Sequence, residues 1–144
     1  MANDLKNLFD PLVGLPMVTP FNENDEVDYD SAEFNIGKWN DTNADIIIVG
    51  SASGEESYLS EKEKLNLLSV VSKSLNKEKI TCAGIDNPSI TETLRLANNY
   101  EKNGASLLRI RYPRNESIIR DYFTEVLKFS PLPVLLMHQG EPLN

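Results

Sequence analysis

One cysteine, one histidine and one tryptophan are all that the 144 residues hold of those three types. Cys82 alone closes no internal disulfide, and no Cys/His set has the spacing of a metal site. Basic residues are also scarce: 14 Lys and Arg face 22 Asp and Glu, for a formal net charge of -8. No basic stripe for phosphates exists, so nucleic acid is an unsuitable partner, and the acidity reads as a solvated face. No apolar run approaches the ~20 residues that a membrane span needs. Met1 to Leu12 is mixed and acidic, without the basic and apolar halves of a secretory signal. The expectation is a soluble, reducing, cytoplasmic setting. Nothing reads as a linker or low-complexity tract, so residues 1–144 are expected to form one unit.

What is present is alternation. Short β-branched runs occur at Gly14–Pro20, Asp45–Gly50, Ile80–Ile85, Leu107–Tyr112 and Pro133–His138. Their starts lie about 30 residues apart, the size of a βαβ unit. Ile46 to Val49 and Val134 to Met137 are apolar throughout, as in strands buried on both faces. Between them lie helical stretches with recognisable caps. Ser60 with Glu63, and Ser89 with Glu92, fit the S-x-x-E capping box. Gly104 stands where a left-handed C-cap is wanted, and Ser130-Pro131 closes the last stripe. The weakest helix, about Asp30 to Asn40, contains Gly37. The order is therefore β-α-β-α-β-α-β-α-β, after a short N-terminal helix. Such alternation implies a mostly parallel sheet with right-handed crossovers. A five-stranded flavodoxin-like open sheet and the first half of a (β/α)₈ TIM barrel both fit, and periodicity does not choose between them.

Specific strings do. Gly14 to Phe21 with Val27-Asp28, and Ser51-Ala52-Ser53-Gly54-Glu55 with Leu59-Ser60 and Glu63, are the first two. Ala83-Gly84 before Ser89 to Glu92, Asn103-Gly104-Ala105, and Ser130 to Leu136 follow in order. Together they resemble the pyruvate-dependent class I aldolases of the dihydrodipicolinate synthase and N-acetylneuraminate lyase family. The 4-hydroxy-2-oxoglutarate aldolase branch is nearest. The resemblance implies a partial TIM barrel, strands one to five with helices one to four. It also implies aldol chemistry on pyruvate or another 2-oxo acid, with no metal or organic cofactor.

In that family a lysine on strand six forms a Schiff base with pyruvate, making an electron sink for C–C bond formation or cleavage. The nine lysines here, at 6, 38, 62, 64, 73, 77, 79, 102 and 128, all read as helix, loop or strand-start residues. None is placed at a C-terminal strand end, where barrel chemistry is done. The expectation is a truncated, inactive family member without a catalytic residue of its own. The family holds the substrate carboxylate in the loop after strand two. Ser53 matches the second threonine there and keeps a hydroxyl, whereas Ala52 matches the first and lacks one. The same four residues would otherwise be a tight βα turn. Met137 takes the position of a relay tyrosine, and His138 after it reads as a solvent-facing or structurally satisfied imidazole. Tyr112 is the candidate counterpart of the strand-four tyrosine, although it precedes Pro113 rather than following it. Arg114 would bind an anion, as the arginine of a Y-x-P-R string does in some relatives.

Arg109 and Arg111 share one strand face. Their residues alone read as a solvated edge, the commoner case, or as an acid-binding face, and either water or carboxylates must meet them. Finally, half a barrel leaves two strand edges and an inner wall uncovered, with Val18, Ile47 and Leu135 or their neighbours exposed. Self-association, or pairing with a partner half-barrel, is expected.

Overall fold

The computed structural model describes residues 11–111 and 116–137. Tyr112, Arg114, His138 and the expected N-terminal helix lie outside the described residues. Five strands alternate with four helices: β1 (Gly14–Pro16), α1 (Tyr29–Asn40), β2 (Ile46–Val49), α2 (Glu61–Ser74), β3 (Ile80–Ile85), α3 (Ile90–Lys102), β4 (Leu107–Arg111), α4 (Ile119–Phe129) and β5 (Val134–Met137). Each strand pairs in parallel with the next in sequence, giving the order β1-β2-β3-β4-β5. A flavodoxin-like sheet would reverse direction after its first strand. This singly wound order is that of a half-barrel, so the fold is a partial (β/α)₈ barrel.

The elements follow from local chemistry. β1 is shorter than its apolar run: Met17 still donates to the Ile48 carbonyl at 3.0 Å, and beyond it β2 ends at Val49, where Gly50 turns the chain. Asp28 caps α1 by accepting from the Ser31 amide at 3.0 Å. Ser60 and Glu63 form the full reciprocal box at the start of α2. At α3 only half the expected box exists. Ser89 accepts from the Glu92 amide, but the Glu92 carboxylate turns to Arg95 at 2.6 Å, and Arg95 also holds Glu61 of α2 at 2.6 Å. Gly104 takes φ 98°, the left-handed cap expected of it.

Register and alternation divide the strand residues between two faces. Leu15, Ile47, Val49, Ala83, Ile85, Leu108 and Ile110 pack against Ala32, Ile36, Leu67, Leu68, Val71, Tyr100, Tyr122 and Val126 of the helices, and this is the core. Pro16, Ile48, Cys82, Gly84, Arg109, Leu135 and Met137 lie on the other, inner face. Val18 and Leu135 are about half exposed, as expected. Ile47 is not: it is 0% exposed, because its parity sends it to the helices, and Ile48 takes the inner position.

Two glycines test this layout. A Cβ at Gly37 in α1 would meet nothing within 4 Å, whereas one at Gly84 would overlap the Gly50 carbonyl oxygen and Arg109 Nη2. Gly37→Ala should stabilise the chain by up to about 1 kcal/mol through helix propensity. Gly84→Ala should destabilise it by about 3 kcal/mol through overpacking. Urea unfolding of the two variants measures both signs.

Candidate functional site

The C-terminal ends of β2, β3 and β4 meet around one loop. β2 ends at Val49, and Gly50 turns the chain with φ 75°. Residues Ala52–Gly54 then make a 3₁₀ turn, and Glu56–Tyr58 a second. The amides of Gly54 and Glu56 both donate to the Ser51 carbonyl, and that of Glu55 to Ala52. From β1's side, the Thr19 hydroxyl donates to the Gly54 carbonyl at 2.7 Å. A Cβ on Gly54 would stand 2.7 Å from the Met17 carbonyl oxygen, so only glycine fits that approach. Ser53 and Ala52 both lie exposed in the first turn. Glu55 between the turns is a non-glycine residue at φ 56°, in the left-handed region.

Arg109 is not a solvated edge. Its side chain is 4% exposed, on the inner face of β4, and it donates from Nη2 to the Gly50 carbonyl at 2.7 Å and to Glu56 Oε2 at 3.0 Å. Nη1 points at the Met137 sulfur, 3.3 Å away. Arg111 reaches the other Glu56 oxygen at 3.3 Å and Asp86 at 2.6 Å. Carboxylates, rather than water, therefore meet the arginine face, because a guanidinium this buried needs charged partners. Two cations and two anions make the quartet formally neutral. Among the described residues, Arg109 Nε, Arg111 Nε and Ser51 Oγ are buried without a hydrogen-bond partner.

The route of Arg109 is set by Gly84. β2 and β4 are not neighbours; β3 lies between them, with Gly84 beside Arg109 in register. The missing side chain at Gly84 lets the guanidinium cross β3 and touch the end of β2. Glu56, Asp86 and the Gly50 carbonyl are the partners of Arg109 and Arg111, and sequence reasoning does not single them out. The signal available is the arginine pair itself, which demands carboxylates without saying which loop brings them.

Beside this network a polar cleft of about 180 Å³ opens between α2, α3 and the end of β3, lined by Glu56, Lys64, Asp86, Asn87 and Tyr100. Burial pushes the Tyr100 hydroxyl up to about 12. Every described lysine lies in a helix or loop, none in a strand. Among the described residues no His/Cys/Asp/Glu group could hold a metal ion, and no helix is long and apolar enough to cross a membrane.

Ser53 and Ala52 thus share one exposed turn at the mouth of the half-barrel, and Met137 lies against Arg109. A singly wound parallel sheet with its loops and charged groups gathered at the C-terminal strand ends defines a barrel-type site. The dihydrodipicolinate synthetase family model matches residues 12–139, and the chain belongs to that family. The chain is 30% identical over 125 residues to a 4-hydroxy-tetrahydrodipicolinate synthase from Heliobacterium modesticaldum, a match covering 83% of this chain and 41% of that protein. The enzyme of the same name from Staphylococcus epidermidis is 27% identical over 136 residues, covering 92% of this chain and 46% of that protein. Among solved structures, a dihydrodipicolinate synthase from Cyanidioschyzon merolae with lysine bound superposes with TM-score 0.79 at 27% identity, over 87% of this chain and 44% of that one. An N-acetylneuraminate lyase from Mycoplasma synoviae shares the fold at TM-score 0.72 and 20% identity, over 85% of this chain and 44% of that one. The chain spans less than half the length of these relatives.

Cys82 gives a simple check on the inner face. It is fully buried there, and burial pushes its thiol up to about 12, against a smaller opposing pull from Arg109. At pH 8 almost no thiolate forms, so an aromatic disulfide reagent should leave the native protein unlabelled and label it once it is unfolded. Rapid labelling of the native chain would show that the inner wall is open at β3.

Proposed function

We propose that residues 1–144 form one half-barrel carrying the carboxylate-holding side of a pyruvate-dependent, Schiff-base-forming aldolase site, nearest the 4-hydroxy-2-oxoglutarate branch, in a cytoplasmic setting. Family membership supports the reaction class. The observation that carries the local reading is the turn at Ala52–Gly54, exposed at the strand ends and braced from below by Thr19 and Arg109. In this reading the Ser53 hydroxyl donates to the carboxylate of a 2-oxo acid. Ala52 lines the same turn without supplying a proton. Tyr112 and Arg114 contribute the remaining substrate contacts from the segment after β4.

The reading also makes these residues non-catalytic by themselves. An imine-forming amine must face the reacting carbonyl from a strand end, and the described lysines point from helices and loops. Lys79 illustrates this: its ammonium donates to the Thr42 and Ala44 carbonyls at 2.7 and 2.6 Å, at the opposite end of the sheet. Incubation with pyruvate and borohydride should leave the intact mass unchanged, and a stable adduct on one lysine would refute this part. Oxalate should bind weakly and shift the amide signals of residues 51 to 56, and Ser53→Ala should weaken it about tenfold or more, since a hydrogen bond to a charged group is worth ~1.5–3 kcal/mol. Unmoved signals would leave that segment a turn and nothing more.

A second reading rests on the inner face. Val18 and Leu135 are 53% and 47% exposed, and β1 and β5 are sheet edges. A half-barrel interaction module that pairs with a second copy or a partner half-barrel would cover both features. Sedimentation at micromolar concentration should then show species heavier than the monomer; a cooperatively melting monomer would defeat this reading.

A further inference from the structure

We propose that Glu56 is a positioning residue that sets the anion-binding turn at Ala52–Gly54 through Arg109, an inference that rests on the reading of that turn as a carboxylate site. Glu56 stands three residues after Ser53 in the same loop, and its carboxylate is nearly buried, 8% exposed. Each of its oxygens takes a different arginine, Oε2 from Arg109 and Oε1 from Arg111. Arg109 also holds the Gly50 carbonyl, just before the turn. One guanidinium therefore grips the loop at both ends, on either side of Ser53. The turn between those grips cannot shift without breaking a buried ion pair or a buried hydrogen bond.

The backbone supports this direction of cause. Glu55 holds a left-handed φ of 56°, a conformation that costs a side-chain-bearing residue free energy and persists only where its surroundings impose it. Its neighbours on both sides are fixed: Gly54 by Thr19, and Glu56 by the two arginines. A link made only to hold the sheet together would have no reason to pass through the loop, because β2, β3 and β4 are already joined by their own ladders. What the quartet adds is the place of the loop relative to the strand ends.

The test uses the full chain and oxalate as probe, with binding read from the amide signals of residues 51 to 56. Glu56→Gln removes a negative charge and Arg109→Met removes a positive one. Positioning predicts that both weaken oxalate about tenfold or more, although their charge changes are opposite. Glu56→Asp keeps the charge but shortens the arm by one methylene, and should weaken oxalate as well; it decides the matter if Arg109→Met does not fold. Opposite effects of Glu56→Gln and Arg109→Met, with Glu56→Asp binding like the parent, would mean a plain charge effect and overturn the inference. Lower melting temperatures with unchanged affinity would mean a structural clamp only, and would overturn it too. Absence of oxalate binding by the unsubstituted chain refutes the carboxylate-turn reading itself, and this inference falls with it, a result seen before any variant is made.

Discussion

A guanidinium taken from water into a protein interior loses several kcal/mol of hydration, and Arg109 recovers this only through what it touches. It touches the Gly50 carbonyl, Glu56 and the Met137 sulfur, which belong to the end of β2, the loop beyond it, and β5. Arg109 itself is on β4, so a single side chain gathers three other parts of the half-barrel around the strand ends. Removing one partner from such a pair typically costs about 3–5 kcal/mol, because the remaining charge is left buried. The glycines nearby are consequences of that arrangement. Gly84 clears the path over β3, and Gly50 turns so that its carbonyl faces the arginine.

The same constraint explains why the inner face is uneven. At the C-terminal end it is filled by the ion quartet, with Arg109 buried and Cys82 sealed beneath it. Toward β1 and β5 it is apolar and open at Val18 and Leu135. A surface covering it would need apolar contacts at the flanks and shape alone at the centre, since Glu56 and Asp86 already match the charges of Arg109 and Arg111. An acidic insert would find those arginines occupied.

Much of this is legible in the residues, for identifiable reasons. The strands and their spacing follow from the β-branched runs, and the Ser60–Glu63 box marks α2 because both halves of its chemistry are local. The Ser89 box is only half formed because Arg95, one turn on, offers Glu92 a charged partner stronger than an amide. Ile47 falls on the face opposite to the expected one because an apolar run has no alternation to read; only the pairing with Thr81 fixes its parity. The Ser53 and Ala52 turn is visible as a short string. Its supports are not, since Thr19, Glu56 and Arg109 lie up to 59 residues from the groups they hold.

That distance separates the turn's own residues from the groups that anchor it. At Ala52, where the resemblance implies a hydroxyl, the loop carries none, and the turn is anchored at Gly50, Gly54 and Glu56. Carboxylate binding by a turn depends on where its donors sit, while proton relay depends on which side chains it carries. The two requirements separate here. Ala52 and Met137 stand where the resemblance implies proton carriers, whereas Thr19, Gly84 and Arg109 hold the loop in place. In the proposed reading, a chain shaped in this way keeps the placement of a carboxylate-holding turn apart from the side chains that would move protons. In that reading, binding and proton transfer are separate requirements that fall on different residues.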